Sequence, residues 1–112
     1  MIESTSSARI ALTTAPSQEE AARMGRALVE EHLAACATIL PGAQSIYRWK
    51  GQIESSSEAV LLLKTEADRL SALEARLRGL HTYDTPEFLV LPLESGSHGY
   101  LAWLHACLHE SS

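Results

Sequence analysis

Residues 37–64 have the sequence ATILPGAQSIYRWKGQIESSSEAVLLLK and predict one long β-hairpin. Its first strand is interrupted at Pro41-Gly42. Because proline cannot donate to a central ladder, we expect a bulge or kink in one bent strand at this point. Gly51 supplies the positive φ that a tight turn needs, and Gln52–Lys64 forms the returning strand. Two adjacent antiparallel strands therefore occupy the middle of the chain.

A strand and a helix precede the hairpin. Arg9–Thr14 is a short β-prone run, and Ser17 stands three residues before Glu20, which is the capping-box spacing of a helix start. The apolar side of this helix is predicted to consist of Ala22, Gly25, Leu28, Val29 and Leu33.

A second helix, a fourth strand and a tail helix follow the hairpin. Thr65 and Asp68 repeat the capping-box spacing ahead of the second helix. Leucines then recur at helical intervals, at Leu70, Leu73, Leu77 and Leu80. Phe88–Leu93 is predicted as the last strand and Tyr100–Leu108 as the closing helix.

The resulting order, βαββαβ with one more helix at the end, predicts the architecture. It is typical of an α+β, ferredoxin-like sandwich, in which four antiparallel strands carry two helices on one face. We expect residues 9–109 to form this single domain, with residues 1–8 a disordered N-terminal segment and residues 110–112 a tail.

The composition is that of an ordinary globular protein. Of 112 residues, 46% are apolar and 21% charged, with 9 basic against 14 acidic side chains and a formal charge of −5. This balance argues against nucleic-acid binding, and no apolar stretch approaches the about 20 residues of a membrane span. The polar N-terminus does not resemble a secretory signal, and two cysteines are too few for a disulfide framework, so a cytoplasmic location is expected.

Two predicted strands are apolar on both faces. Ala59–Leu63 and Phe88–Leu91 contain consecutive aliphatic side chains, whereas a sheet that is covered on one face only should alternate apolar and polar residues. Such side chains would form a sticky patch in water. We therefore expect identical subunits to cover the open face; the alternative is a monomer in which the tail helix folds across it.

Several motifs resemble those of one family. They are Thr14-Ala15-Pro16, residues 34–42 (AACATILPG), residues 45–51 (SIYRWKG), Glu58 ahead of residues 61–65 (LLLKT), residues 81–87 (HTYDTPE) and residues 100–104 (YLAWL). In this order and spacing, across residues 9 to 108, the chain resembles the CutA divalent-cation tolerance proteins. The resemblance implies a compact homotrimer of ferredoxin-like subunits whose sheets pack around the threefold axis.

The resemblance also implies a function. The family is associated with the binding and tolerance of divalent cations, copper foremost, and its trimer resembles the PII signalling proteins. We therefore expect a non-catalytic protein that binds a divalent metal, with Cu²⁺ as the first candidate and with no organic cofactor, nucleic acid or membrane as partner. The absence of an HExxH motif and of a Gly-rich phosphate loop agrees with this expectation. The alternative is a PII-like signalling or assembly module that binds a small metabolite or a protein in the cleft between subunits.

The family pattern implies where a metal would bind. Its copper site has been ascribed to a cysteine at the end of the first strand and to histidines before a Pro-Tyr motif. Here Thr13 stands at the cysteine position and His81 alone represents the histidines, so the soft thiolate ligand is missing. We predict His81 and Glu87 as metal ligands. The alternative for His81 is a hydrogen-bonded turn residue at a helix C-terminus.

A second pair of histidines lies on the tail helix. His105 and His109 are four residues apart, a spacing that lets two imidazoles share one metal. Glu110 is adjacent and Cys107 lies between them, but a matching third and fourth ligand is missing, and the alternative is two exposed histidines on a fraying helix end.

A set of aromatic and charged residues lies, by resemblance, toward the cleft between neighbouring subunits. These residues are Tyr47, Trp49, Lys64, Tyr83, Glu87 and Trp103. One interpretation is an inter-subunit ion pair between Lys64 and Glu87 surrounded by aromatic rings. The other is a pocket for a small ligand, comparable to those at PII subunit junctions.

Overall fold

The structure is a computed structural model and describes residues 1–110. Its strands are β1 (Ile2–Ser4), β2 (Ala8–Ala15), β3 (Cys36–Trp49), β4 (Gln52–Glu66), β5 (Leu89–Pro92) and β6 (Ser95–Ser97). Its helices are α1 (Gln18–Glu30), α2 (Leu70–Leu80), which follows a 3-10 turn at Ala67–Arg69, and α3 (His98–His109). The chain has the α+β fold that the sequence predicts.

Four strands form the main sheet, in the order β3-β4-β2-β5, and every neighbouring pair is antiparallel. One face carries the core, because Ala11, Leu61 and Leu63 are buried together with Leu28 of α1 and Leu73 of α2. The alternate residues of the strands form the other face, here called the open face. Its aliphatic members are Ile10, Leu12, Leu40, Val60, Leu62, Leu89 and Leu91.

Strands β3 and β4 form the predicted long hairpin. Their register shifts between Leu40 and Ala43, which confirms the bulge at Pro41-Gly42. At the other end, Lys50 and Gly51 have φ angles of +51° and +80°. Two successive positive φ angles are what the two-residue turn of a twisted hairpin favours. β3 is therefore one strand with a single interruption.

The two predicted capping boxes have different outcomes. Ser17 Oγ accepts a hydrogen bond of 3.1 Å from the Glu20 amide, which confirms the start of α1. The prediction for α2 is wrong, because β4 continues to Glu66 and the Thr65 hydroxyl donates a 2.8 Å hydrogen bond to the Leu33 carbonyl. A tertiary contact therefore takes the hydroxyl that was expected to cap the helix.

Helix α1 presents a side to the sheet that agrees only in part with the prediction, because Gly25 and Leu28 of the predicted apolar side are buried. Its buried residues are Ala21, Met24, Gly25 and Leu28. By contrast, Ala22 and Val29 of the predicted apolar side are exposed. The helix approaches β3 closely at Gly25, where a Cβ atom would lie 2.9 Å from Ala37 Cβ. Ala21 and Met24 thus complete the buried side around Gly25 and Leu28, and Ala22 faces outward.

The N-terminal end of the chain differs from the prediction. The sequence predicts disorder for residues 1–8, whereas β1 lies within them and pairs antiparallel with β6. The His98 amide donates a 2.9 Å hydrogen bond to the Met1 carbonyl, and the His98 ring contacts Glu3 Oε2 at 2.8 Å. Backbone pairing thus orders a segment without a strong local signal. Of the predicted tail, Glu110 follows α3 directly, and residues 111–112 lie outside the described residues.

Helix α3 packs at the end of β4. Leu104 and Leu108 are buried beside Ala35 in a small second cluster. The open-face leucines Leu40, Leu89 and Leu91 remain 49%, 59% and 49% exposed, so the tail helix does not cover them. None of the helices in residues 1–110 has the length and apolar character needed to cross a lipid bilayer.

Candidate functional site

An open groove of about 650 Å³, here called the hairpin groove, lies between the β3–β4 hairpin and the loop after α2. Aromatic rings and carboxylates dominate its lining, and they belong to Tyr47, Trp49, Glu58, Tyr83, Asp84 and Glu87. The structure therefore brings four of the six predicted cleft residues together within one chain.

A hydrogen bond joins the two sides of this groove. The Tyr83 hydroxyl donates to Glu58 Oε2 at 2.8 Å. Burial, together with the hydrogen bond to Glu58 and its negative charge, raises the pKa of Tyr83 to about 12. The phenol is therefore neutral at physiological pH and acts as a donor.

The ring of His81 is held by the backbone at both nitrogens. Nε2 lies 2.7 Å from the Thr14 carbonyl oxygen, and Nδ1 accepts a hydrogen bond of 3.0 Å from the Tyr83 amide. Since a carbonyl can only accept, the proton of the neutral ring is on Nε2. This is the hydrogen-bonded turn geometry, and a metal on His81 has to displace one of these two partners.

The predicted metal ligand Glu87 lies apart from Thr13, the residue that stands at the position of the family's cysteine. Glu87 lines the hairpin groove, as does Thr14, whereas Thr13 is fully buried opposite Leu61 on the core side of the sheet. Successive side chains of a strand point to opposite faces. Thr13 and Glu87 therefore cannot ligate the same ion within one chain.

Two predicted cleft residues lie elsewhere in the chain. Lys64 Nζ donates to the Thr38 hydroxyl, and six residues of β4, about 20 Å, separate Lys64 from Glu58 in the groove. Trp103 contacts Tyr100 on α3, with ring centroids 5.3 Å apart and the rings tilted by 43°. An ion pair between Lys64 and Glu87 thus stays a prediction for the contact between two subunits.

A second polar cluster, here called the Glu66 cluster, consists of Glu66, His105 and His109. Glu66 Oε1 lies 3.0 Å from His105 Nδ1 and 3.0 Å from His109 Nε2. The two imidazole rings contact each other with centroids 4.2 Å apart and are tilted by 33°. Of the described residues, these three form the group whose metal-ligating atoms converge within 4.8 Å of one another. The sequence pattern indicated the two histidines but gave no sign of Glu66.

The Glu66 carboxylate is ionised although it is buried. Burial by itself raises the pKa of Glu66, but hydrogen bonds from His109, His105 and Ser7 outweigh this effect and hold the pKa below its ordinary value. On the far side, Arg69 Nη2 lies 3.1 Å from His109 Nδ1. The cluster is therefore a buried anion with two imidazoles on its solvent side.

Comparison with known proteins identifies the family. The sequence profile of the CutA1 divalent ion tolerance proteins matches residues 9–107. The chain is 46% identical over 99 residues to the divalent-cation tolerance protein CutA of Pectobacterium atrosepticum, which covers 88% of this chain and 90% of that protein. It is 45% identical over 95 residues to the protein of the same name from Thermus thermophilus, with 85% and 92% covered.

Solved structures agree with this result. CutA from Synechococcus elongatus superimposes with a TM-score of 0.93 at 39% identity, covering 96% of both chains, and another structure of that protein is described as a complex with Bis-Tris. CutA from Archaeoglobus fulgidus, described as periplasmic, has a TM-score of 0.88 at 32% identity and covers 91% of this chain and 99% of its own. The chain belongs to the CutA1 divalent ion tolerance protein family.

Proposed function

We propose that this protein is a non-catalytic homotrimer that binds divalent cations, copper in particular, and contributes to the tolerance of metal ions. The observation that carries the proposal is the family match across residues 9–107. Its two cysteines, both free, suit a reducing compartment, and we place the protein in the cytoplasm.

The trimer is proposed from the open face. The strand order β3-β4-β2-β5 with α1 and α2 on one side fits the ferredoxin-like topology, which leaves the other side without a cover. Covering its aliphatic side chains contributes about 25 cal/mol for each Å² removed from water. In this assembly one subunit supplies the hairpin groove, and its neighbour supplies Lys64 and Trp103 to complete the cleft.

A copper ion in this cleft is proposed to bind His81 and Glu87. Nδ1 is the ring nitrogen that can be freed, because releasing Nε2 from the Thr14 carbonyl would detach the ring from β2. The metal would displace the Tyr83 amide from His81 Nδ1. Glu87 is exposed and lines the same groove as Tyr83.

Calorimetric titration of Cu²⁺ into wild type, His81→Ala and Glu87→Gln tests this site. We expect each variant to bind Cu²⁺ at least about tenfold more weakly, since each loses a direct ligand. His32→Ala is the matched control, because its ring contacts the Cys107 carbonyl and lies outside the groove. Isotherms identical to wild type in both variants would remove His81 and Glu87 from the proposal.

A second candidate function is a PII-like module that binds a small molecule in the cleft. The observation that favours it is the volume of the hairpin groove and its three aromatic rings, a lining typical of small-molecule sites. The Bis-Tris complex of the Synechococcus relative shows that a family member takes up a small organic molecule. Thermal-shift screening against nucleotides and amines tests this candidate, with Trp49→Ala as the variant that should lose any stabilisation. A flat response to every compound would contradict it.

A further inference from the structure

We propose that Glu66, His105 and His109 form a binding site for a divalent transition-metal ion of the Zn²⁺ and Cu²⁺ class. The inference rests on the proposed metal-binding function and assigns to it a site outside the hairpin groove. It does not use His81 or Glu87.

The donor atoms already have nearly the spacing that one ion requires. Glu66 Oε1 lies 3.0 Å from one nitrogen of each histidine, and the three donor atoms are all within 4.8 Å of one another. With bonds of about 2.0–2.1 Å, tetrahedral geometry places neighbouring ligand atoms about 3.3 Å apart. Glu66 Oε1 therefore has to move by a few tenths of an ångström relative to each nitrogen, and the two nitrogens, which are at most 4.8 Å apart, have to reach the same spacing.

The three side chains differ in burial, and this difference favours the binding of a metal ion that arrives from solvent. The side chain of Glu66 is 7% exposed, whereas those of His105 and His109 are 62% and 31% exposed. The Ser7 hydroxyl donates to Glu66 Oε2 at 3.3 Å, which orients the carboxylate from behind. The carboxylate is thus fixed, and the imidazoles form the open side of the site.

The donor set selects the kind of ion. Two imidazoles and one carboxylate suit Zn²⁺, Cu²⁺ and Ni²⁺, whereas Ca²⁺ and Mg²⁺ require shells made of oxygen. Asp68 Oδ2 lies 3.8 Å from His109 Nε2 and is placed to supply a fourth ligand or to hold a bound water. We therefore expect Zn²⁺ and Cu²⁺ to bind and Mg²⁺ not to compete.

Arg69 influences how tightly His109 can bind the metal ion. Arg69 Nη2 donates one hydrogen to the Leu108 carbonyl at 2.6 Å. His109 Nδ1 lies 3.1 Å from the same Nη2 and accepts its second hydrogen. A neutral histidine that binds metal through Nε2 carries its proton on Nδ1, so this contact has to break. The substitution Arg69→Gln replaces the guanidinium with an amide whose oxygen can accept the Nδ1 proton. We expect the Arg69→Gln protein to bind the metal more tightly than wild type does.

Two measurements test the site. In the full-length wild type, addition of Zn²⁺ should shift the imidazole NMR resonances of His105 and His109 and leave those of His32 and His98 unchanged. By calorimetry, His105→Gln with His109→Gln should weaken Zn²⁺ binding at least about tenfold. His98→Gln, another exposed histidine paired with a glutamate, is the matched control and should bind as wild type does.

The outcomes separate this inference from the proposed function. Suppose that wild type binds Zn²⁺ or Cu²⁺, that the double variant binds the ion as wild type does, and that His81→Ala does not bind it. The Glu66 cluster is then not the metal site, and the proposed function stands. If wild type binds neither ion, metal binding itself is contradicted. Imidazole shifts at His105 and His109 that Mg²⁺ produces equally well would overturn the assignment of a transition metal.

Discussion

The Tyr83 hydroxyl donates a 2.8 Å hydrogen bond to Glu58 Oε2 and thereby joins the loop after α2 to strand β4. Loops are the mobile parts of most folds, and this loop carries Tyr83 and Glu87 into the hairpin groove. The bond therefore supports the shape of the groove as well as the stability of the chain.

Tyr83→Phe removes this donor and keeps the ring. We expect the free energy of unfolding to fall by about 1 kcal/mol, because a half-buried carboxylate loses a partner. Urea denaturation at neutral pH measures the change. Tyr47→Phe is the control: its oxygen accepts a weaker 3.2 Å bond from the Ser56 hydroxyl on the exposed hairpin. Equal effects of both substitutions would contradict a special role of Tyr83.

Gly25→Ala tests the close approach of α1 to the sheet. The new Cβ would lie 2.9 Å from Ala37 Cβ, and alanine has no flexible side chain to turn aside. We expect a loss of about 1–3 kcal/mol from overpacking, which exceeds the roughly 1 kcal/mol that alanine contributes to a helix.

Gly79→Ala is the matched control for this substitution. Gly79 also lies in a helix, but a Cβ there has no heavy atom within 4 Å. We expect a gain of about 0.5–1 kcal/mol. Thermal unfolding of both variants makes the comparison, and a Gly25→Ala protein as stable as wild type would show that α1 can move away from β3.

Leu62→Lys tests the proposed trimer. Leu62 lies on the open face between Leu12 and Thr38, where a single chain leaves room for a lysine to reach water. In a closed assembly the same ammonium would be buried without a partner, which is strongly unfavourable. Light scattering should therefore give the mass of one folded chain. Glu19→Lys, on the exposed side of α1, should keep the mass of wild type; a trimer that persists in Leu62→Lys would exclude the open face as the interface.

The contact between His98 and Glu3 predicts a pH dependence at the β1–β6 ribbon. The hydrogen bond to Glu3 and its negative charge raise the pKa of His98 above 6.5. Since the pKa is raised, the stabilisation is complete below about pH 6.5 and is lost as the pH rises through the folded-state value. NMR titration should give a lower pKa for His98 in Glu3→Gln and an unchanged one in Glu19→Gln. No difference between Glu3→Gln and wild type would mean that the pair does not form in solution.

The order of the main elements could be predicted because its signals are local. Proline and glycine mark the bulge and the turn of the hairpin, and the spacing of Ser17 and Glu20 marks the start of α1. The side that α1 presents could be predicted only in part, since Gly25 and Leu28 suit a side that contains either Ala21 or Ala22, and only the burial of Met24 in the folded core separates the two.

The candidate site was predictable only in part, for a related reason. The spacing of His105 and His109 is visible within one helix, whereas Glu66 is 39 residues away from His105 and reaches it through the packing of α3 on β4. His81 shows the converse case. Its type and position indicated a ligand, but hydrogen bonds to Thr14 and Tyr83, which depend on the tertiary fold, occupy both of its nitrogens.

The extra residue at Pro41-Gly42 decides which side chains of the hairpin's first strand turn toward Glu58. Past this point Ser45 pairs with Ser56, so the odd-numbered residues, Tyr47 among them, share the face of Glu58. In an uninterrupted strand the pairing that begins with Leu40 and Val60 would bring Ile46 to that face instead. The bulge thus absorbs the one extra residue of this strand, so deletion of either Pro41 or Gly42 would straighten the strand and leave Tyr47 opposite Glu54, on the face of Glu58.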